Sequence, residues 1–107
     1  MKTYIFDIDG TICTQSQGDY STATPIPDRI DKINALYDSG NKIIFLTARG
    51  MGRTNNDVVE AYRLFYVLTH SQLTSWGVKF HKLFLGKPAG DLYIDDKGVS
   101  DEQFFTN

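Results

Sequence analysis

Asp7 and Asp9 stand two residues apart, directly after the apolar run Tyr4-Ile5-Phe6, and Gly10-Thr11 follows them. Alternate residues of a strand face the same way, so both carboxylates project together from its carboxyl end. Two carboxylates held side by side repel one another and need a cation, a proton or a chemical role. A surface turn would explain Asp9-Gly10 but not the apolar run that feeds it. An EF-hand loop starting at Asp7 would need Glu at its twelfth position, where this chain has Gly18. The G-x-x-x-x-G-K-[ST] phosphate loop does not occur. Three more groups of chemically capable residues follow apolar runs: Thr47-Ala48-Arg49-Gly50, then Gly86-Lys87-Pro88, then Asp95-Asp96.

The elements that position these groups alternate between strand and helix. Thr3–Phe6 is β-branched or aromatic, as a strand buried on both faces requires. Ile12–Thr24 is polar and lacks periodicity, so it is expected as a loop or small flap beside the acidic pair, with Cys13 a small, partly buried side chain. Pro25–Ser39 has Ile26, Ile30, Ile33, Leu36 and Tyr37 at helical spacing, Pro27 and Asp28 in its first turn and Gly40 past its end. Lys42–Leu46 is a second strand. Asn55 to about Trp76 is a second helix, capped by Asn55 or Asn56 and broken near His70-Ser71, with Val58, Tyr62, Phe65, Leu68 and Leu73 as its buried stripe. Arg53 before it is within reach of a phosphate at the site but is expected as a solvated turn residue.

Val78–Leu85, with His81–Leu85 as its core, is the third strand, and Asp91–Asp96 a fourth. Val99–Phe105 is a short helix or coil that docks through Phe104 and Phe105. His70 and His81 have no ligand partners at metal spacing and are expected to be structural. This order implies an α/β fold of right-handed parallel crossovers, with ligands bound at the strands' carboxyl ends. Asp7, Asp9 and Thr47 would all arrive there.

Residues 1–107 make one domain. Hydrophobic content of 41% and charged content of 22% exclude disorder, and 11 basic against 13 acidic residues leave a net charge of −2 with no basic stripe for nucleic acid. No run approaches the ~20 apolar residues of a membrane span, no signal-peptide core opens the chain, and Cys13 is the single cysteine, so a reduced cytoplasmic setting is expected.

Taken in order, Asp7-x-Asp9-Gly10-Thr11, Thr47, Lys87 and Asp95-Asp96 resemble motifs I to IV of the haloacid dehalogenase-like superfamily of phosphohydrolases, across nearly the whole chain. More narrowly, Phe6–Thr11, Leu46–Gly50, Leu85–Pro88 and Tyr93–Lys97 resemble small capless phosphatases linked to bacterial capsule biosynthesis. The resemblance implies Asp7 as nucleophile, Asp9 as general acid and base, and Mg2+ held by Asp7, the Asp9 carbonyl and Asp95 or Asp96. It implies phosphate contacts from Gly10, Thr11, Thr47, Ala48 and Lys87, with Arg49 a candidate contact to substrate phosphate or sugar. The expected substrate is a small phosphorylated metabolite such as a sugar phosphate.

The lengths between the motifs leave no room for a cap domain, and only Gly86–Asp91 joins strands three and four. A Rossmann-like sheet of about four strands in the order 3-2-1-4 would therefore carry both long helices on one face. The other face would be covered thinly by the tail or by another copy in a dimer or tetramer. A phosphoacceptor receiver domain also uses clustered aspartates, a Thr and a Lys, but needs an Asp after the third strand and five helices. An inactive sugar-phosphate-binding homologue remains the other alternative.

Overall fold

The structure is a computed structural model and describes residues 1–106. Among these the chain forms β1 (Thr3–Phe6), a 3-10 turn (Tyr20–Thr22), α1 (Pro27–Asp38), β2 (Lys42–Thr47), α2 (Val58–Ser75), β3 (Lys82–Leu85) and α3 (Asp101–Phe105). The three strands make one parallel sheet in the order β1-β2-β3. Phe6 lies beside Phe45 and Phe45 beside Leu83, while Thr47 lies beside Leu85.

The helices start and stop where the residue chemistry requires. Pro27 opens α1, where its missing N–H costs no intrahelical bond, and Gly40 past its end takes φ +93°. The cap of α2 is Asp57, which accepts from Glu60 N at 3.2 Å; the expected caps Asn55 and Asn56 take left-handed φ of 57° and 63° in the turn before it. The break expected near His70-Ser71 does not occur. Phe65, Thr69 and Leu73 keep one buried stripe in phase through all 18 residues. Val58, assigned to that stripe by its spacing, is 43% exposed.

Two right-handed crossovers stepping the same way along a sheet leave their helices on the same side. Phe6, Ile43, Phe45, Thr47, Leu83 and Leu85 are accordingly buried beneath α1 and α2. Ile5 and Phe84 point the other way and are 63% and 43% exposed, with Ile44 and Leu46 half-buried between them.

The expected fourth strand does not form, and neither does the order 3-2-1-4. Leu92 and Ile94 are 80% and 91% exposed. Local bonds hold this segment away from the sheet: Tyr93 Oη donates to the Pro88 carbonyl at 2.6 Å, and Asp95 Oδ1 accepts from Lys97 N. Three apolar residues after Pro88 and Gly90 read equally well as a strand or a turn, and here the turn prevails. The tail docks through Phe104 and Phe105 as expected, but on the helical side. Phe104 packs edge-on against Tyr4 and Phe6, and Lys32 and Arg29 of α1 sit over the Phe104 and Phe105 rings. α3 thus extends the helical layer and leaves the second sheet face open. The aromatic residues of β1 that attract it point only to the helical side.

Candidate active site

The end of β1 turns so that its polar groups crowd one cavity. Thr11 N and Ile12 N both donate to the Ile8 carbonyl, and Gly10 N donates to Cys13 O. Gly10 takes φ +80°, a left-handed conformation that favours glycine in this tight turn. The cavity, of about 240 Å³, is lined by Asp7, Asp9, Gln15, Ser16, Tyr20, Thr47, Ala48 and Arg49 among others.

Partial burial pushes the Asp7 carboxyl above its ordinary range, as does the nearby Asp9. The Ile8 N–H and Lys87, whose Nζ lies 3.9 Å from Asp7 Oδ2, pull the other way. Thr47 is buried, and its hydroxyl oxygen accepts from Arg49 N at 3.1 Å. A hydroxyl that accepts this way keeps its own proton to donate. Lys87 is placed by its main-chain N–H, which donates to the Thr47 carbonyl.

Arg49 occupies a different place from the expected one. Its side chain is fully buried, and its guanidinium grips Asp9 with two bonds of 2.9 Å, from Nε to Oδ2 and from Nη2 to Oδ1. It lines the cavity with its guanidinium turned to Asp9. Cys13 completes this wall: its thiol lies 3.5 Å from Asp9 Oδ1, and burial first, then the Asp9 charge, pushes it up to about 12. At neutral pH such a thiol is inert.

Asp7, Asp9, Thr47, Ala48 and Arg49 thus share one cavity, and Lys87 joins them through Asp7. Gly10 and Thr11 shape the turn, with their amide donors engaged in the loop and the Thr11 carbonyl accepting from Arg29. Asp95 and Asp96 lie on the exposed segment, and the Lys97 N–H, followed by Asp96, lowers the Asp95 carboxyl. Among the described residues no three carboxylate, Cys or His side chains converge on one point. The Asp7 carboxylate, half-screened and with its nearest cation 3.9 Å away, and the Asp9 main-chain oxygen still offer two hard oxygens. A small hard cation that keeps most of its waters fits such a donor set.

Gln15, Ser16, Tyr20 and Gln72 were not singled out by sequence. Tyr20, an aromatic residue in an otherwise polar loop, is the one that offered a signal. Arg53 donates to the Gly18 carbonyl at 2.6 Å, pinning that loop as a turn residue would.

No protein-family model and no curated protein matches the chain. Among solved structures, a Vibrio cholerae protein superposes with a TM-score of 0.91 at 27% identity, over 100% of this chain and 89% of that one. D,D-heptose 1,7-bisphosphate phosphatase from B. bronchiseptica, complexed with magnesium and phosphate, superposes with a TM-score of 0.56 at 19% identity. That match covers 92% of this chain and 54% of the phosphatase. The likeness is one of fold. This chain is a small Rossmann-like α/β unit that spans about half of the phosphatase's length. No helix among the described residues is long and apolar enough to cross a membrane.

Proposed function

We propose that this chain is a magnesium-dependent phosphomonoester hydrolase of the haloacid dehalogenase type, acting through a phosphorylated Asp7. The observation that carries the reading is the grouping of Asp7, Asp9 and Thr47 around one cavity, with Lys87 3.9 Å from Asp7. The fold shared with a heptose bisphosphate phosphatase supports it.

Each residue has a task in that chemistry. An Asp7 carboxylate oxygen bonds to phosphorus as the bond to the leaving oxygen breaks, giving an acyl phosphate. Asp9 hands the leaving oxygen a proton, and in the second step takes one from the water that attacks the phosphoenzyme. Inorganic phosphate leaves, and the Asp7 carboxylate is restored. The Thr47 hydroxyl and the Lys87 ammonium stabilise the charge on the transferring oxygens. Asp7 and the Asp9 carbonyl would hold the metal, with Asp95 or Asp96 added from the 91–96 segment. Bound Mg2+ would offset the repulsion between a phosphate dianion and these carboxylates.

The rest of the lining supports a neutral, hydroxylated substrate body. Gln15, Ser16, Gln17 and Tyr20 line the cavity, and all four are uncharged polar residues. A small sugar phosphate, of the kind used in polysaccharide or capsule assembly in the cytoplasm, suits that surface.

Phosphate release from an aryl phosphate and from a panel of sugar monophosphates tests the proposal. Turnover should require Mg2+, fall by orders of magnitude in Asp7→Asn, and pass through a phosphoenzyme whose label maps to Asp7. Near-wild-type turnover in Asp7→Asn would reject the nucleophile. Failure to hydrolyse any phosphomonoester would leave a receiver-like or binding role in its place.

A further inference from the structure

All five N–H donors of Arg49 are accounted for inside the protein. Nε and one hydrogen of Nη2 go to Asp9, and the second hydrogen of Nη2 faces Cys13 Sγ at 4.0 Å. Nη1 donates to Thr69 Oγ1 at 3.2 Å and to Gln72 Oε1 at 2.6 Å, both on α2. A guanidinium has five donors in a fixed plane, and four of these are committed to oxygens of Asp9, Thr69 and Gln72, with the fifth in a loose contact to sulfur. The plane is also held from above, because the Tyr20 ring lies 4.8 Å from the Arg49 guanidinium carbon.

The same network ties in the loop over the cavity. Gln72 Nε2 donates to the Tyr20 carbonyl at 2.6 Å, and Tyr20 Oη accepts from Gly50 N at 3.0 Å. Gln72 thus grips Arg49 with its oxygen and the loop with its nitrogen. A lysine at position 49 could carry the charge but could not bridge two Asp9 oxygens, Thr69 and Gln72 together.

We propose that Arg49 is a positioning residue for Asp9, not a substrate ligand, and that through Gln72 and Tyr20 it sets the Asp9 carboxylate and the 15–20 loop in one arrangement. This rests on the phosphatase reading for its catalytic consequence, though not for the contact itself. Asp9 must present one oxygen to the leaving group and then to water. A carboxylate free to rotate would do so in only a fraction of encounters. Tying it to the loop that touches the substrate body makes its aim sensitive to whether that loop is seated.

The test uses the full chain with Arg49→Lys, Gln72→Met and Asp9→Asn, alone and combined. Arg49→Met would strand a buried carboxylate and is avoided for that reason, and Gln72→Met tests the network while leaving the ion pair whole. On sugar phosphates, kcat should fall roughly 10-fold to 10²-fold in Arg49→Lys, within the range for general acid-base loss, with KM and inhibition by inorganic phosphate unchanged. Gln72→Met should lower kcat in the same sense by less. Neither change should add to the loss already present in Asp9→Asn. A KM and a phosphate inhibition constant that both rise about 10-fold, equally in both Asp9 backgrounds, would make Arg49 a phosphate ligand and overturn the proposal.

A readout free of turnover separates this proposal from the phosphatase reading. The Arg49 Nε–H NMR signal should be protected in the wild type and lost in Asp9→Asn. It should stay unmoved when inorganic phosphate and Mg2+ shift the Thr47 and Ala48 amides. If the protein turns nothing over yet the Arg49 signal behaves this way, the phosphatase reading falls and the Asp9-holding role stands. If phosphate moves the Arg49 signal along with Thr47, the positioning role falls.

Discussion

Lys87 Nζ lies between Asp7 Oδ2, 3.9 Å away, and the Tyr93 ring, whose centroid is 4.3 Å away. The aromatic face and the carboxylate attract the ammonium from two sides, and its main-chain N–H is anchored on Thr47 O. One lysine therefore links the end of β2, Asp7 at the end of β1 and the exposed segment that carries Asp95 and Asp96.

Removing this charge should hurt catalysis more than folding. Lys87→Met is expected to lower kcat/KM on phosphomonoesters by roughly 10²-fold to 10³-fold, the scale for losing one stabilising donor. Tyr93→Leu should lower it less, because the ammonium keeps its attraction to Asp7. Steady-state kinetics decide this. A Lys87→Met enzyme within about 3-fold of wild type would remove Lys87 from the charge-stabilising role.

Asp7→Asn is expected to leave the metal-free protein as stable as wild type or more so. Burial raises the Asp7 carboxyl, which means that folding disfavours its charged form. An amide of the same shape removes that charge while keeping an acceptor for the Ile8 N–H. Thermal melts in chelator check this, and a clearly lower Tm for Asp7→Asn would show that the Lys87 attraction outweighs burial.

The placement of Asp7, Thr47 and Lys87 was legible because each follows a strand of the sheet, where an apolar run stops and polar residues begin. Periodicity gave β1 and β2 closely, and it gave both long helices to within a few residues. The contacts of Arg49 were not legible. Its partners Thr69 and Gln72 lie 20 and 23 residues away, on a helix whose register against the sheet a sequence does not state. The same holds for 91–96. Leu92-Tyr93-Ile94 has strand-like residues, but what they pair with depends on long-range packing, and the Tyr93 bond to Pro88 wins locally.

Gly50 is the backbone position on which the Arg49 network is most exposed to substitution. It takes φ +80°, and a Cβ there would lie 2.6 Å from Phe65 Cδ2 and 3.2 Å from Ala61 Cα. Gly40 has a similar φ of +93° with nothing within 4 Å, so it isolates the conformational cost, about 1 kcal/mol. Gly50→Ala should destabilise by clearly more than Gly40→Ala in denaturant melts and should also lower kcat. Equal losses would mean that Phe65 yields without cost.

The tail helix should loosen in acid. Arg29 Nη1 donates to Asp101 Oδ2 at 2.7 Å and also to the Thr11 carbonyl, so it joins α3 to the loop after Asp9. That Arg29 bond, the largest cause, holds the Asp101 carboxyl below its ordinary 3.8. With the folded carboxyl depressed, the unfolded chain binds more protons in acid. The contribution is therefore complete above the ordinary value and is lost as pH falls through the folded one. Asp101 is more than a third exposed, so Asp101→Asn should cost no more than about 1 kcal/mol at neutral pH. The difference from wild type should close below the carboxylate range, and a difference that persists there would assign the effect to helix capping.

The last expectation concerns the sheet face opposite the helices. Parallel sheets are normally covered on both faces, yet Ile5 and Phe84 are 63% and 43% exposed here, beside half-buried Ile44 and Leu46. The tail helix does not cover them, because α3 packs on the helical side. The same apolar strip is present on every copy, so two copies related by a twofold axis can cover it with one interface. Lys42 and Lys82 at the strand starts stay at its rim, where their ammonium groups keep their water. Light scattering at micromolar concentration should give at least twice the 12.1 kDa of one chain, and Ile5→Glu should return the mass to that of a monomer without touching the cavity. A wild-type mass of one chain would show that the face stays open in solution.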